Sequence, residues 1–283
     1  MSAFEIRDMT PADVDAAVGL ALAQGWRDRR LFYDMVLRTP SCQPLVGVAD
    51  GRVVATGLAV VSIPVGWIGA IVVAADRRRR GYGRAMTEEI CGRLRAAGCT
   101  TLSLESTDAG RPMYERLGFR LATHYHQLQA DHLTDPPVPP DGARVRMLAR
   151  ADMPAIFELD RLATGEDRSA ALAVLADGGG WVLVDDFEPA GEPRGFLLPA
   201  DRSYGAVIAP GRRDGIYLLD LHRYLVSPGA HVRAGVPHEN VAGWRELAAR
   251  GWVETWLAPR MLVGPDVEWR PDWIWGQINS AMG

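Results

Sequence analysis

The chain has 283 residues, 48% of them hydrophobic and 23% charged, which is typical of a globular protein large enough for two domains. A net charge of −4 and a pI of about 5.9 argue against nucleic acid as a partner. Every apolar stretch is too short to span a membrane, and the N-terminus lacks the basic and apolar regions of a signal peptide, so we expect a cytoplasmic protein with no membrane partner.

The three cysteines, Cys42, Cys91 and Cys99, do not have the spacing of metal ligands, and they cannot all pair within one chain. No other grouping of histidine, cysteine and carboxylate residues suggests a metal site. We therefore expect buried or half-buried thiols in a reducing compartment, and no metal cofactor.

The first part of the chain predicts short strands and amphipathic helices. Thr10, Pro11 and Asp13 are typical of a helix start, with Thr10 as the N-cap. Asp50-Gly51 favours a tight turn between two strands. The predicted elements are a strand at 4–7, a helix after Thr10, a helix at 26–38, and hairpin strands at 45–49 and 53–63.

Residues 78–84, Arg-Arg-Arg-Gly-Tyr-Gly-Arg, follow a predicted buried strand at 67–73 and lead into a predicted helix that ends at Gly98. Glycines allow a ligand to approach the backbone closely, and the first turn of a helix offers unpaired N–H groups to phosphate. The sequence therefore predicts a pyrophosphate site. A Rossmann dinucleotide site is an alternative because Glu105 closes the next strand, although Met86 occupies the place of a third glycine. A tight turn with solvated arginines is a second alternative.

A strand at 100–105, a helix at 109–117 and a strand at 119–128 complete a mixed α/β unit that ends near residue 129. Residues 135–142 are rich in proline and predict a stiff, extended linker. We expect one domain at 1–129, a linker at 130–143 and a second domain at 144–283.

The second half repeats the outline of the first. Ile6-Arg7 and Asp13 recur as Val145-Arg146 and Asp152, 139 positions later in both cases (7 to 146, 13 to 152). Gly118-Phe119 likewise recurs as Gly251-Trp252. In the second copy, Tyr217 replaces the second glycine of the loop and Asp214 adds a negative charge, so this copy should not hold phosphate.

The strand Ile71-Val72-Val73, the spacing Arg78-x-x-Gly81-x-Gly83 and the segment 113–119, Met-Tyr-Glu-Arg-Leu-Gly-Phe, resemble the GCN5-related N-acetyltransferases (GNAT). The resemblance covers residues 4–129. Ala-x-Gly-Trp at 23–26 and the trailing domain resemble a bacterial group of these enzymes with a second, degenerate domain of the same fold. The resemblance implies a mixed α+β sheet built from tandem GNAT folds, the N-terminal one intact.

The resemblance also implies an acetyl-CoA cosubstrate, with backbone groups of Ile71, Val72 and Val73 pairing with the pantetheine arm and one N–H polarising the thioester carbonyl. The diphosphate would lie against the glycine loop. The implied cofactor-binding residues are Ile71, Val72, Val73, Arg78, Arg79, Arg80, Gly81, Tyr82, Gly83 and Arg84.

Tyr114 matches the tyrosine that protonates the leaving thiolate in many members of the family, although an aromatic residue packed on the sheet would look the same in sequence. The carboxylate that relatives often place on the central strand is missing here, where residues 67–70 are Trp-Ile-Gly-Ala. Glu105 is a candidate substitute, with a solvated strand end as the alternative. His124 and His126 could line an acceptor cleft or form an ordinary strand face.

Together these residues predict an N-acetyltransferase that transfers an acetyl group directly to an amine, with a small molecule as the acceptor. One alternative is a non-catalytic acyl-CoA-binding or sensing protein, which the missing strand carboxylate would permit. Another is a tandem enzyme resembling mycothiol synthase, in which the second half performs the transfer. A homodimer through an unpaired edge strand is also compatible with the sequence.

Overall fold

The computed structural model describes residues 4–188, 191–201 and 203–283, in which eight α-helices and thirteen strands alternate. The strands are β1 Glu5–Asp8, β2 Cys42–Ala49, β3 Arg52–Ser62, β4 Val65–Val73, β5 Thr101–Glu105, β6 Arg120–Asp131, β7 Ala143–Met147, β8 Trp181–Asp185, β9 Gly195–Pro199, β10 Gly205–Ile208, β11 His231–Pro237, β12 Val253–Val263 and β13 Ile274–Gly276. The helices are α1 Val14–Ala23, α2 Arg30–Arg38, α3 Tyr82–Ala96, α4 Arg111–Arg116, α5 Met153–Thr164, α6 Ser169–Ala176, α7 Arg212–Leu225 and α8 Val241–Ala249. None of the helices within these ranges has the length and apolar character needed to cross a bilayer.

Two sheets organise the molecule. The first has eight strands in the order β1-β2-β3-β4-β5-β12-β6-β11, and the second has five in the order β13-β10-β9-β8-β7. Only β4 and β5 pair in parallel, and all the other described neighbours are antiparallel. This mixed sheet architecture confirms the predicted α+β class.

The last strands of the two halves lie side by side in the first sheet. β12, from the C-terminal half, lies between β5 and β6, with Arg260 opposite Glu105. β11, also from the C-terminal half, pairs with β6. The largest core cluster likewise combines side chains from both halves, such as Val36, Trp67, Ile156 and Phe196. The division of the chain into units at 129 and 144 stays a prediction, and the strand exchange joins those units through one continuous sheet.

Most of the predicted elements agree with the structure to within a few residues, and the three cysteines are buried as free thiols. The predicted helix at 26–38 is wrong at its start, because α2 begins only at Arg30. The Asp28 carboxylate accepts a hydrogen bond from the backbone N–H of Arg30 at 2.8 Å, which fixes the helix start there. Residues 26–29 thereby remain outside the helix and form part of a cavity wall.

The repeated Arg-Asp pair has the same structure in both halves. Arg7 donates two hydrogen bonds to Asp13, both at 2.8 Å, and Arg146 donates two to Asp152 at 2.7 and 2.8 Å. Each aspartate also accepts the backbone N–H three residues before it, from Thr10 and Ala149 respectively. Each pair therefore ties the first strand of its half to the following helix.

Replacing Asp13 by asparagine should lower the free energy of unfolding by about 1–2 kcal/mol at pH 7, since a cap and a charge-assisted pair are both lost. The Arg7 guanidinium holds the pKa of Asp13 well below its usual 3.8. The stabilisation is therefore present above the unfolded pKa and is lost as pH falls through the folded one. Urea unfolding at several pH values should show the difference from wild type shrinking below about pH 4. Asp34→Asn, at an exposed position, is the control; an equal loss in that variant would contradict the assignment.

Candidate active site

The first sheet opens between β4 and β5. These strands pair only at Val65–Trp67 and Thr101–Ser103, and beyond that point they diverge. A bulge at Ala70, whose φ is 51°, shifts the register of β4 against β3. The edge of β4 from Ile68 to Ile71 faces a cavity of about 180 Å³ whose walls include Glu105 and Tyr114. An extended ligand could therefore lie along β4 in the place where a paired strand would otherwise be.

The glycine loop lies at the end of β4. Gly81 has φ of 83° and is the N-cap of α3, and Arg79 also has positive φ, at 61°. Among the described residues, the backbone N–H groups of 79–84 find no backbone acceptor, whereas the N–H of Ala85 donates to the Gly81 carbonyl at 2.9 Å. The loop therefore presents a set of free N–H groups at the positive end of the helix dipole, which suits a phosphate.

The arginines of the loop differ in their partners. Arg77 pairs with Asp50 at 2.7 Å, and Arg84 pairs with Glu88 at 2.9 Å. Arg78 donates to the Gln24 side chain, and within the described ranges neither Arg79 nor Arg80 has a carboxylate partner. Arg78, Arg79 and Arg80 are therefore the cations that an incoming anion could use.

Tyr114 lies on α4 with its ring packed edge-on against Phe119, 6.0 Å between centroids. Burial raises the pKa of Tyr114 to about 12, so the phenol stays protonated at physiological pH. Its hydroxyl makes no hydrogen bond to any residue of the described ranges, and the side chain borders the 180 Å³ cavity. Tyr114 can therefore donate a proton or a hydrogen bond to a group in the cleft.

Glu105 ends β5 and borders the same cavity. Its two carboxylate oxygens accept hydrogen bonds from the amides of Gln277 at 2.7 Å and Gln127 at 3.1 Å. Burial raises the pKa of Glu105 to about 8, even though these donors and the positive charge of Arg260 favour the ionised form. A carboxylate with this pKa is suited to accept a proton near neutral pH, unlike the solvated strand end that was the alternative from sequence.

The C-terminal segment, which sequence reasoning did not connect to the site, forms one wall of it. Ser280 and Ala281 border the cavity, and Gln277 holds Glu105. A Cβ added at Gly69 would lie 2.5 Å from Ala281, so β4 needs a glycine there for the segment to pack. A glycine inside an apolar strand was the one sequence signal of this close approach.

His124 and His126 do not border the described cavities. His126 is buried, hydrogen-bonds Glu254 through Nδ1, and lies 3.0 Å from Nδ1 of His238 through Nε2. The imidazole also stacks on Trp244 with ring centroids 4.3 Å apart. These contacts join β6 to β12 and α8, as the ordinary strand-face interpretation requires.

β10, the strand of the second half that corresponds to β4, is paired on both sides. β9 pairs with one edge of β10, and β13 pairs with the other edge. In the first half, the corresponding second edge of β4 is the one that is open beyond Trp67. Trp275 of β13 donates its indole N–H to the carbonyl of Ala209 at 3.0 Å and covers Gly215, whose added Cβ would lie 2.2 Å from the ring. The end of β10 and the start of α7, which correspond to the end of β4 and the start of α3, are thus covered by β13 of the same chain.

The sequence alignment of 212–217 with the glycine loop is wrong in its register. These residues form the first turns of α7, and the connection from β10 has three residues, 209–211, against eight, 74–81, in the first half. Asp214 is buried and paired with Arg194 at 3.0 Å, and Tyr217 is buried on the helix. The second half therefore differs from the first by the length of this connection, more than by an obstructing side chain.

A buried polar cluster joins the halves behind the cleft. Glu166 accepts the indole N–H of Trp67 at 2.9 Å and lies 3.5 Å from Nη2 of Arg260, which reaches it from β12. Arg168 pairs with Asp160 at 2.5 Å, with both side chains almost fully buried. Removing one partner of such a pair is strongly destabilising, so this cluster anchors the second half to β4.

Comparison with known proteins agrees with this geometry. Residues 14–119 match the model of the acetyltransferase (GNAT) family. A glucosamine 6-phosphate N-acetyltransferase of Trypanosoma brucei brucei is 37% identical over 67 residues, which is 24% of this chain and 44% of that relative, so the match spans less than half of the relative's length.

Three solved structures show the same overall fold. A Pyrococcus horikoshii protein provisionally assigned as an acetyltransferase superposes with a TM-score of 0.83 at 19% identity, over 100% of this chain and 97% of that one. A tandem GNAT protein from the clavulanic acid biosynthesis pathway gives 0.65 at 19% identity, over 93% and 100%. A GCN5-related N-acetyltransferase from Sphaerobacter thermophilus gives 0.66 at 18% identity, over 94% and 98%.

The family match, the strand order and the open β4 edge define the class of protein. Residues 14–119 form an acetyltransferase domain of the GNAT family, and the chain as a whole has a tandem GNAT fold. The resemblance expected from the glycine loop and the Tyr114 segment is thereby confirmed, and the Rossmann alternative is excluded by the largely antiparallel sheet.

Proposed function

We propose that the protein is an acetyl-CoA-dependent N-acetyltransferase whose single active site is the opening between β4 and β5. Acetyl-CoA would lie along Ile71–Val73 with its diphosphate on residues 78–84. The amine of a small acceptor attacks the thioester carbonyl, so that a C–N bond forms and the C–S bond breaks. Glu105 accepts the proton of the attacking amine, and Tyr114 donates a proton to the departing thiolate.

One observation supports this proposal above all others. Glu105 and Tyr114, the two side chains proposed to move protons, both border the cavity where β4 and β5 diverge. Burial raises both pKa values, to about 8 for Glu105 and about 12 for Tyr114, so that the ionised carboxylate is a stronger base than usual and the phenol keeps its proton near neutral pH. This pair also favours catalysis over a purely sensing role.

Gly83→Glu should abolish CoA binding and acetyl transfer while leaving the protein folded. A glutamate carboxylate about 4 Å from a phosphate oxygen would repel it by about 4 kcal/mol at an effective dielectric constant of about 20. A loss of binding free energy of about 1.4 kcal/mol is enough to raise Kd roughly tenfold. A Cβ at Gly83 would meet no protein atom closer than 3.7 Å, so the fold should tolerate it. Calorimetric titration with CoA and a thiol-release assay with an amine panel measure the two effects.

Gly92→Glu is the matched control, because it places the same side chain at an exposed position of the same helix with no atom within 4 Å. That variant should bind CoA as wild type does. If Gly83→Glu keeps full transfer activity, the second half performs the reaction and the proposed site is wrong. If wild type binds CoA but acetylates no amine, the protein is an acyl-CoA-binding module.

A further inference from the structure

A second, larger cavity opens beside the proposed active site. It measures about 510 Å³ and is bounded by the segment from Gly25 to Phe32 of the first half and by Asp201, Ser203, Tyr204 and Arg233 of the second. Trp26 and Arg29 border both this cavity and the smaller one that contains Glu105 and Tyr114. A molecule whose amine reaches Glu105 could therefore extend into the larger space.

Three arginines from two separate parts of the chain, Arg27 and Arg29 from the first half and Arg233 from the second, line this cavity. Arg27 donates to the Ser203 hydroxyl at 3.1 Å, and Arg233 donates to the Gln129 amide oxygen at 3.1 Å. Within 4–188, 191–201 and 203–283, none of Arg27, Arg29 and Arg233 forms an ion pair with a carboxylate. The next arginine along, Arg30, is exposed and pairs with Asp15 at 2.5 Å.

Arg29 is the most enclosed of the three. Its guanidinium carbon lies 4.6 Å from the centroid of the Trp26 ring and 5.2 Å from that of Phe32, so aromatic faces hold it in place. Burial lowers the pKa of Arg29, and the positive charge of Arg233 acts in the same direction, whereas Tyr33, Tyr204 and the Asp201 carboxylate oppose this shift. An anion bound beside it would relieve both effects.

Two aspartates, Asp28 and Asp201, border the same cavity, and each accepts one or more hydrogen bonds from backbone N–H groups of its own loop. Asp28 accepts the backbone N–H of Arg30 at 2.8 Å. Asp201 accepts those of Ser203 at 2.6 Å and Tyr204 at 2.7 Å. The three arginines thus outnumber the two carboxylates in the described lining.

We propose that this cavity binds an acidic group of the acceptor, a carboxylate or a phosphate, through Arg29 with Arg27 and Arg233 beside it. The acceptor would then be a small anionic amine, held at its acidic end in the larger cavity with its amine directed to Glu105. A guanidinium suits this task because its fork of donors matches two oxygens of a carboxylate or phosphate. The inference rests on the proposed acetyl transfer for the role of the amine, but anion binding itself does not require that reaction.

The test compares amine pairs that differ in the acidic group, glucosamine 6-phosphate with glucosamine and leucine with leucinamide. Each rate is divided by the fraction of neutral amine, because loss of the acidic group also lowers the pKa of the amine. The initial rate of CoA release gives kcat/KM for each, and the anionic member of at least one pair should exceed its neutral partner by about tenfold or more. The phosphate pair and the carboxylate pair distinguish the two sources of negative charge. Equal or better use of both neutral partners would overturn the inference.

Arg29→Met should remove this preference by raising KM for the anionic amine while changing kcat by less than about threefold, since the change affects binding and not the reacting atoms. Arg233→Met should have a smaller effect in the same direction and serves if the first variant does not fold. Arg30→Met, at an exposed neighbouring position, should retain the preference. A preference that survives both Arg29→Met and Arg233→Met contradicts the assigned site.

Calorimetry with glucosamine 6-phosphate and with leucine on the CoA-bound protein separates the two proposals. If no amine is acetylated but an anionic probe binds wild type and not Arg29→Met, the transfer proposal fails and the anion site holds. If wild type acetylates neutral amines efficiently and binds neither anionic probe, the transfer proposal holds and the anion site is wrong. Absence of both activities overturns both.

Discussion

Replacing Glu105 by glutamine should lower kcat by roughly 100-fold or more, the usual contribution of a positioned general base. The glutamine keeps the size and polarity of the side chain but cannot accept the proton of the attacking amine. Because burial raises the pKa of Glu105 to about 8, the carboxyl is largely protonated at lower pH. Wild-type kcat should therefore rise with pH, increase about tenfold per unit well below 8, and level off above it.

The pH profile distinguishes a catalytic loss from a structural one. In Glu105→Gln the ascending limb assigned to the carboxyl should disappear, whereas ionisation of the acceptor's own amine affects both proteins alike. Measurements at saturating acceptor and acetyl-CoA, from pH 6 to 9.5, give the comparison. Glu115→Gln is the control, because Glu115 is an exposed carboxylate of α4 paired with Arg111. An unchanged limb in Glu105→Gln would remove Glu105 from the mechanism.

Replacing Tyr114 by phenylalanine should lower kcat by about 10- to 100-fold with little change in KM for the acceptor, because only the leaving thiolate loses its proton donor. The ring keeps its edge contact with Phe119, so the melting temperature should stay within a few degrees of wild type. Burial raises the pKa of Tyr114 to about 12, which places any loss of activity through its ionisation above the practical pH range.

Single-turnover measurements identify the step that changes. With acetyl-CoA bound and acceptor added rapidly, Tyr114→Phe should slow the transfer itself and leave CoA affinity unchanged. Tyr224→Phe, which removes a hydroxyl from a half-exposed tyrosine of α7, should behave as wild type. Full kcat in Tyr114→Phe at saturating acceptor would show that this tyrosine is a packing residue only.

Local features of the site were readable from the chain. The glycine loop, the strand before it and the helix after it involve residues close in sequence, and Gly81 adopts the positive φ that such a turn requires. The repeat was visible through Arg7, Asp13, Arg146 and Asp152 because each pair ties a strand to the next helix within six residues. Tyr114 was found through the family pattern of its segment.

The register of the second copy and the environment of Glu105 were not readable. The sequence aligned 212–217 with a loop because arginine and glycine spacing alone does not distinguish a loop from a helix start. A solvated strand end stayed open as the alternative for Glu105 because Gln277, which donates a hydrogen bond to its carboxylate, is 172 residues away. No periodicity along β5 indicates what packs across its end.

The sequence by itself therefore determined the alternation of strands and helices, the duplication and the glycine loop between a strand and a helix, since backbone preference and hydrophobic pattern act over short distances. Tertiary structure decided that β12 inserts beside β5, that β13 occupies the second half's open edge, and that residues 277–281 form a wall of the cleft. These depend on which strand edges and cavities are left unpaired after the sheets assemble. A buried strand edge must be paired by a chain segment or by a ligand. Inside the first sheet, β4 and β5 separate after three residue pairs, and the edge of β4 borders a cavity with Glu105 and Tyr114 in its walls.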